Sequence, residues 1–229
     1  MIMVRRLGTC NHDLTLGTGI ACQWFAQPLI ASIGKAAMDH DDHHHSSSEI
    51  DALIKRIDRS VVLVGMMGVG KSTVGRKLAQ VLHLPFVDAD EAIEEAAKMT
   101  IPEMFAHYDE AEFRDGERRV IARLIGEPGA APKVIATGGG AFCNAQTRAL
   151  ILDRSIAVWL DADIDVLVER TGRKDNRPLL KQGDPREILT RLRTEREADY
   201  AQAPIHITSG NGAHARTVST ILRKIDAWL

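Results

Sequence analysis

The segment Gly65-Met66-Met67-Gly68-Val69-Gly70-Lys71-Ser72 constrains this chain more than any other stretch of it. Its spacing is GxxxxGK[ST]. It stands between a β-branched apolar run, Val61-Val62-Leu63-Val64, and a stretch from Thr73 to Leu82 whose apolar residues Val74, Leu78, Val81 and Leu82 recur at helical intervals. A strand with no internal polarity suits burial on both faces of a parallel sheet. Strand, glycine-rich loop and helix in this order make a phosphate-binding loop. The glycines let consecutive N–H groups turn inward on phosphate oxygens, and the helix N-terminus adds the positive end of its dipole. Gly68, Val69, Gly70, Lys71, Ser72 and Thr73 are therefore the expected ATP-binding residues, with Lys71 at the β and γ phosphates and the Ser72 hydroxyl on Mg²⁺.

The remaining rhythm fixes the fold class. Short apolar runs at Pro85-Phe86-Val87, Val134-Ile135-Ala136, Ile156-Ala157-Val158-Trp159-Leu160 and Ile205-His206-Ile207 read as strands. Helix-length segments separate them, at 90–98, 101–107, 110–126, 144–152, 164–170, 185–202 and 213–228. Strands alternating with helices predict an α/β three-layer sandwich, a central five-stranded parallel sheet flanked by helices, because parallel neighbours need crossover connections. Residues 170–183, rich in Arg, Lys, Asp, Gly and Pro, interrupt the rhythm and read as an exposed loop.

Composition narrows the partners. A formal net charge of -2 provides no global field for nucleic acid or an anionic membrane, so anion affinity must come from local Arg and Lys. Cys10, Cys22 and Cys143 are widely spaced and contain no CxxC pair, which argues against a disulfide framework or zinc site and for a reducing cytoplasm. Residues 1–57 form an N-terminal extension, expected to be disordered or partly helical, ahead of a catalytic domain at 58–229. Gln23, Gln27 and Pro28 interrupt any signal-peptide core there, and the His and Asp run at 39–45 reads as solvated rather than metal-bound.

A phosphate loop implies nucleotide binding but not a reaction, so the acceptor must be sought elsewhere. Asp88 and Asp90 follow the second strand, at the sheet edge where ligands bind in open α/β folds. Two residues apart on extended chain, their carboxylates share one side, one for the metal's water shell and one for an acceptor hydroxyl. The alternative for Asp90 is a helix N-cap. Arg114, with Glu117 at i+3 to hold it, and Arg177 and Arg196 are candidate cations. Thr137-Gly138-Gly139-Gly140 follows the third strand at the same edge and permits close approach of backbone to ligand.

Taken in order, GMMGVGKST at 65–73, FVDAD at 86–90, EFRDGE at 112–117, ATGGG at 136–140, NRPLL at 176–180 and RTEREADY at 193–200 resemble the shikimate kinases over residues 60–229. The resemblance implies a nucleoside-monophosphate-kinase-like fold and MgATP-dependent phosphorylation of the 3-hydroxyl of shikimate, toward chorismate and the aromatic amino acids. It implies Asp90 as base and acceptor ligand, and Asp88 with Ser72 at Mg²⁺. Arg114 and Arg196 would hold the shikimate carboxylate, Gly138, Gly139 and Gly140 the ring hydroxyls, and Phe105 the ring face, with Glu117 orienting Arg114. Arg177 would lie in a lid at about 170–184 and, with Lys71, stabilise the transferring phosphoryl group. Arg170 resembles the adenine-stacking arginine, and His214 stands where many members carry proline on the other adenine face. The N-terminal extension has no counterpart in the family core.

Two other readings share these features: a gluconate or adenylylsulfate kinase on the same scaffold, and a nucleotide-sensing module without turnover. The pair Arg114 and Arg196 favours a hydroxylated carboxylate, and intact Lys71, Ser72, Asp88, Asp90 and Arg177 favour catalysis. The expected partners are shikimate and ATP alone, bound by a monomer, without nucleic acid or membrane.

Overall fold

Val61–Val64 form β1, and all four side chains are fully shielded from solvent. Burying a side chain of this size contributes about 1.5–3 kcal/mol, which suits β1 to the middle of the sheet. The computed structural model describes residues 47–172, 183–209 and 214–229. Within these, β2 (Phe86–Asp88), β3 (Val134–Ala136), β4 (Ile156–Asp161) and β5 (Ile205–Thr208) join β1 in one five-stranded sheet of order β2-β3-β1-β4-β5. Every neighbouring pair is parallel, with Val61 in register with Val134 on one side and Ile156 on the other.

Helices make the crossovers and cover the sheet: α1 (Ser47–Arg56), α2 (Lys71–Val81), α3 (Ala89–Ala97), α4 (Ile101–His107), α5 (Glu110–Ile125), α6 (Ala145–Arg154), α7 (Ile164–Gly172), α8 (Pro185–Tyr200) and α9 (His214–Trp228). Their starts are chemically marked. Thr100 with Glu103 and Asp109 with Glu112 form reciprocal capping boxes at α4 and α5, and Asp184 caps α8 ahead of Pro185. No described helix is long and apolar enough to cross a membrane.

Two boundaries differ from the sequence reading in ways that matter. Helix α1 lies inside the stretch assigned to the extension, and its Leu53 together with Ile57 is buried in the same apolar cluster as the strands. Arg56 of α1 also pairs with Asp226 of α9. The packed domain therefore starts ahead of residue 58, because an apolar pair at i and i+4 gives α1 a stripe that must be covered. Residues 1–46, with the His and Asp run, lie outside the described residues. The second difference is the start of α3 at Ala89, directly after β2, which leaves no extended chain at Asp90.

The strand order creates one crevice. From β1 the chain crosses toward the β2 edge, and from β3 it crosses the opposite way to β4, although β1 and β3 are neighbours. Loops leaving two such strands diverge at their C-terminal ends, and ligands bind in the gap. Here those loops are the phosphate loop and Thr137–Gly140. A smaller apolar cluster of Ile93, Met104 and Phe113 packs α3, α4 and α5 together.

Candidate active site

The loop after β1 turns at Gly65, where φ is +133° and an added Cβ would sit 2.1 Å from the Leu160 carbonyl oxygen, so only glycine fits. Lys71 then folds back over the loop. Its Nζ donates to the carbonyl oxygens of Gly65 at 2.7 Å and Met66 at 2.9 Å. Both acceptors belong to the loop that the lysine completes, and its own side chain is almost wholly buried. Gly70, at φ +99°, caps α2, so the helix opens at Lys71 with its N–H groups facing the loop. Thr73 follows, exposed, in the first turn. Gly68 lies against α7, where an added Cβ would meet the Thr171 methyl at 2.7 Å, and Val69 is buried.

Ser72 Oγ donates to Asp88 Oδ2 at 2.6 Å. The other Asp88 oxygen accepts the Asp90 N–H at 3.1 Å, so Asp88 is the N-cap of α3 and Asp90 lies in its first turn. This corrects the extended geometry expected for the pair. The capping role weighed for Asp90 falls to Asp88.

The triple glycine is where the two sides meet. An added Cβ on Gly138 would lie 2.7 Å from Asp90 Oδ1 and 3.2 Å from Glu117 Oε1. On Gly139 it would lie 3.2 Å from the Met67 nitrogen of the phosphate loop, and on Gly140 2.5 Å from Arg114 Nη2. Three residues without side chains thus bring a carboxylate, the phosphate loop and a guanidinium onto one stretch of backbone.

Arg114 Nη1 donates to Glu117 Oε2 at 2.7 Å, and Nη2 reaches Glu110 Oε1 at 3.5 Å. Burial disfavours the charged guanidinium, but the two carboxylates outweigh it and raise the Arg114 pKa. Glu117 is 2% exposed, and burial pushes its carboxyl up, Arg114 pulling it back and Asp90 adding to the rise. Beside this pair opens a cleft of about 550 Å³ lined by Arg114, Gly140, Cys143, Asn144 and Arg196 among others. Arg196 Nη1 donates to the Gly139 carbonyl at 3.3 Å. Two guanidinium groups in one cleft suit a carboxylate, which their forked donors match. Phe105 is not among the lining residues; it is 47% exposed and its ring packs on Phe113, centroids 4.4 Å apart.

At the phosphate loop, Arg170 Nη1 donates to the Val69 carbonyl at 3.1 Å. Arg170 and His214 both flank Gly70, 3.7 and 4.0 Å from where a Cβ would be. Burial, then the charges of Lys77 and Arg170, lower the His214 pKa and favour the neutral imidazole. Arg177 and most of the expected lid, residues 173–182, lie outside the described residues.

Reasoning on the sequence assigned no role to Tyr200, whose hydroxyl donates to the same Gly139 carbonyl. Its signal was the four-residue interval from Arg196, which puts both on one helix face. Cys143, brought to the cleft by the 3-10 turn Ala141–Cys143, was also passed over, because nothing in the sequence predicts that turn.

The shikimate kinase family model matches residues 67–226. The shikimate kinase of Novosphingobium aromaticivorans is 69% identical over 193 residues, spanning 84% of this chain and 100% of that protein. That of Caulobacter vibrioides is 55% identical over 164 residues, 72% of this chain and 80% of its own length. Among solved structures, the shikimate kinase from Acinetobacter baumannii in complex with shikimate aligns with a TM-score of 0.70 at 36% identity, covering 76% of this chain and 97% of that one. A gluconokinase from Sinorhizobium meliloti, at 18% identity and a TM-score of 0.51, shares the fold alone. A family match over most of the catalytic unit, and full coverage of a relative at 69% identity, put the chain in the shikimate kinase family.

Proposed function

We propose that the chain transfers the γ-phosphoryl group of ATP to the 3-hydroxyl of shikimate, giving shikimate 3-phosphate and ADP, in the crevice between the phosphate loop and Thr137–Gly140. The observation that carries this reading is the convergence at Gly138, Gly139 and Gly140 of Asp90, the Met67 backbone and Arg114. Arg114 and Arg196 hold the acceptor carboxylate, and Glu117 keeps Arg114 aimed. Asp90 accepts the proton of the 3-hydroxyl as its oxygen bonds to the γ-phosphorus and the bond to the ADP oxygen breaks. Lys71 and, by its place in the sequence, Arg177 neutralise charge on the transferring group.

Mg²⁺ fits the donors present. Ser72 and Asp88 supply adjoining hard oxygens beside the phosphate loop, and no described cluster of three or more His, Cys, Asp and Glu builds a metal cage. That suits an ion which takes one or two protein oxygens and completes its shell with phosphates and water. Held there by Ser72 and Asp88, it would supply positive charge to offset that of the phosphates. Our reading of the assembly is a cytoplasmic monomer, the reducing compartment supported by the widely spaced cysteines.

Coupled measurement of ADP release tests the assignment. Shikimate should support turnover and gluconate should not, and Asp90→Asn or Lys71→Ala should lower kcat by at least about 100-fold. Equal turnover with gluconate, or none with any acceptor, would reject it.

A further inference from the structure

Tyr200, the last residue of α8, is 1% exposed. Its ring stacks near Phe142 and Trp159, with centroids 6.5 and 6.0 Å away. Phenylalanine would fill this space as well, so the hydroxyl needs a separate explanation. It donates to the Gly139 carbonyl. Burial raises the phenol's pKa far above its ordinary range, which keeps it a neutral donor.

That carbonyl is a pivotal acceptor. Arg196 donates to it too, and the Gly139 α-carbon is backed by the Met67 backbone. The peptide joining Gly139 to Gly140 is planar and trans, so its C=O and N–H point in opposite directions. Tying the carbonyl to Tyr200 and Arg196 therefore turns the Gly140 N–H the other way. Gly140 lines the cleft along with Arg114, Cys143 and Arg196.

We propose that Tyr200 is a positioning residue for acceptor recognition: its hydroxyl holds the Gly139 peptide and, through the carbonyl they share, fixes where the Arg196 guanidinium docks, so that an incoming carboxylate meets donors already aimed. This rests on reading the cleft between Arg114 and Arg196 as the acceptor site. Aiming the donors before binding removes an ordering cost from association, so the effect belongs to acceptor affinity rather than to nucleotide binding.

Tyr200→Phe keeps the stacked ring and deletes only the hydroxyl. The KM for shikimate should rise about tenfold while the KM for ATP stays within about twofold and the melting temperature is nearly unchanged. A purely structural role would instead lower the melting temperature and the active fraction and leave the shikimate KM alone. A shikimate KM within about twofold of the parent, or an equal rise for ATP, overturns the proposal. Arg196→Ala separates the two layers of inference. If it leaves the shikimate KM unchanged, the cleft is not the acceptor site and the proposal falls with it; if it raises that KM and Tyr200→Phe does not, the positioning role alone is overturned. Should Tyr200→Phe fail to fold, 3-fluorotyrosine incorporated into a Tyr108→Phe protein reports on Tyr200 alone, since the chain has two tyrosines. Its fluorine resonance should shift on saturation with shikimate, and an unmoved resonance overturns the proposal.

Discussion

A single methyl group at Gly140 should separate acceptor binding from nucleotide binding in this enzyme. Gly140 has φ −106°, which alanine adopts without strain, so Gly140→Ala perturbs only what the new Cβ touches. It would lie 2.5 Å from Arg114 Nη2 and 3.0 Å from both Cζ and Nη1. Comfortable contacts begin at about 3.5 Å, so the guanidinium must retreat by about 1 Å. That stretches its 2.7 Å bond to Glu117 beyond the roughly 3.2 Å limit of a good hydrogen bond and displaces it from the cleft. Losing the displaced guanidinium's hydrogen bond to the acceptor carboxylate costs about 1.5–3 kcal/mol, or roughly 10- to 150-fold in kcat/KM for shikimate. Folding should weaken as well, by about 1–3 kcal/mol, because buried Glu117 loses a good hydrogen bond, partly offset by the restriction that glycine-to-alanine replacement places on the unfolded chain. Shikimate titration with coupled ADP detection, ATP affinity by calorimetry and thermal denaturation measure the three quantities. A kcat/KM for shikimate within about twofold of the parent would refute the reasoning, as would a matching loss of ATP affinity.

Two further outcomes follow from neighbouring features. Gly65→Ala should cost more than about 4 kcal/mol, because its Cβ would collide at 2.1 Å with a backbone carbonyl of β4 at a φ of +133°; a melting temperature close to the parent's would contradict this. Burial raises the Glu117 carboxyl pKa, so on acidification it takes up its proton before exposed carboxyls do, and Arg114 then loses its charged partner. The KM for shikimate should therefore climb on the acid side of its pH profile, and Glu117→Gln should raise it at neutral pH and flatten that climb; a persisting climb would assign it to another group.

The sheet and its helices were legible because their signals are local. The Val61–Val64 run is buried whole, and β3 and α4 occupy the residues their patterns predict, since apolar periodicity and capping chemistry act within a few residues of chain. Where a signal depends on what packs against it, the reading slipped. Leu53 and Ile57 were assigned to the extension because the surface that covers them comes from elements far along the chain, while the Asp88 side chain's bond to the Asp90 N–H turned an expected extended pair into a helix start.

From sequence alone, the chain was determined to carry a phosphate loop between a buried strand and a helix, on an alternating α/β frame, with an ordered set of motifs resembling those of the shikimate kinases. Only the folded molecule decided that Asp90, Met67 and Arg114 surround the three glycines, and that Arg196 and Tyr200 seize the same Gly139 carbonyl. The physical reason is distance along the chain: α8 lies about sixty residues beyond that loop, and no periodicity records which carbonyl a buried hydroxyl will find once the crossovers close.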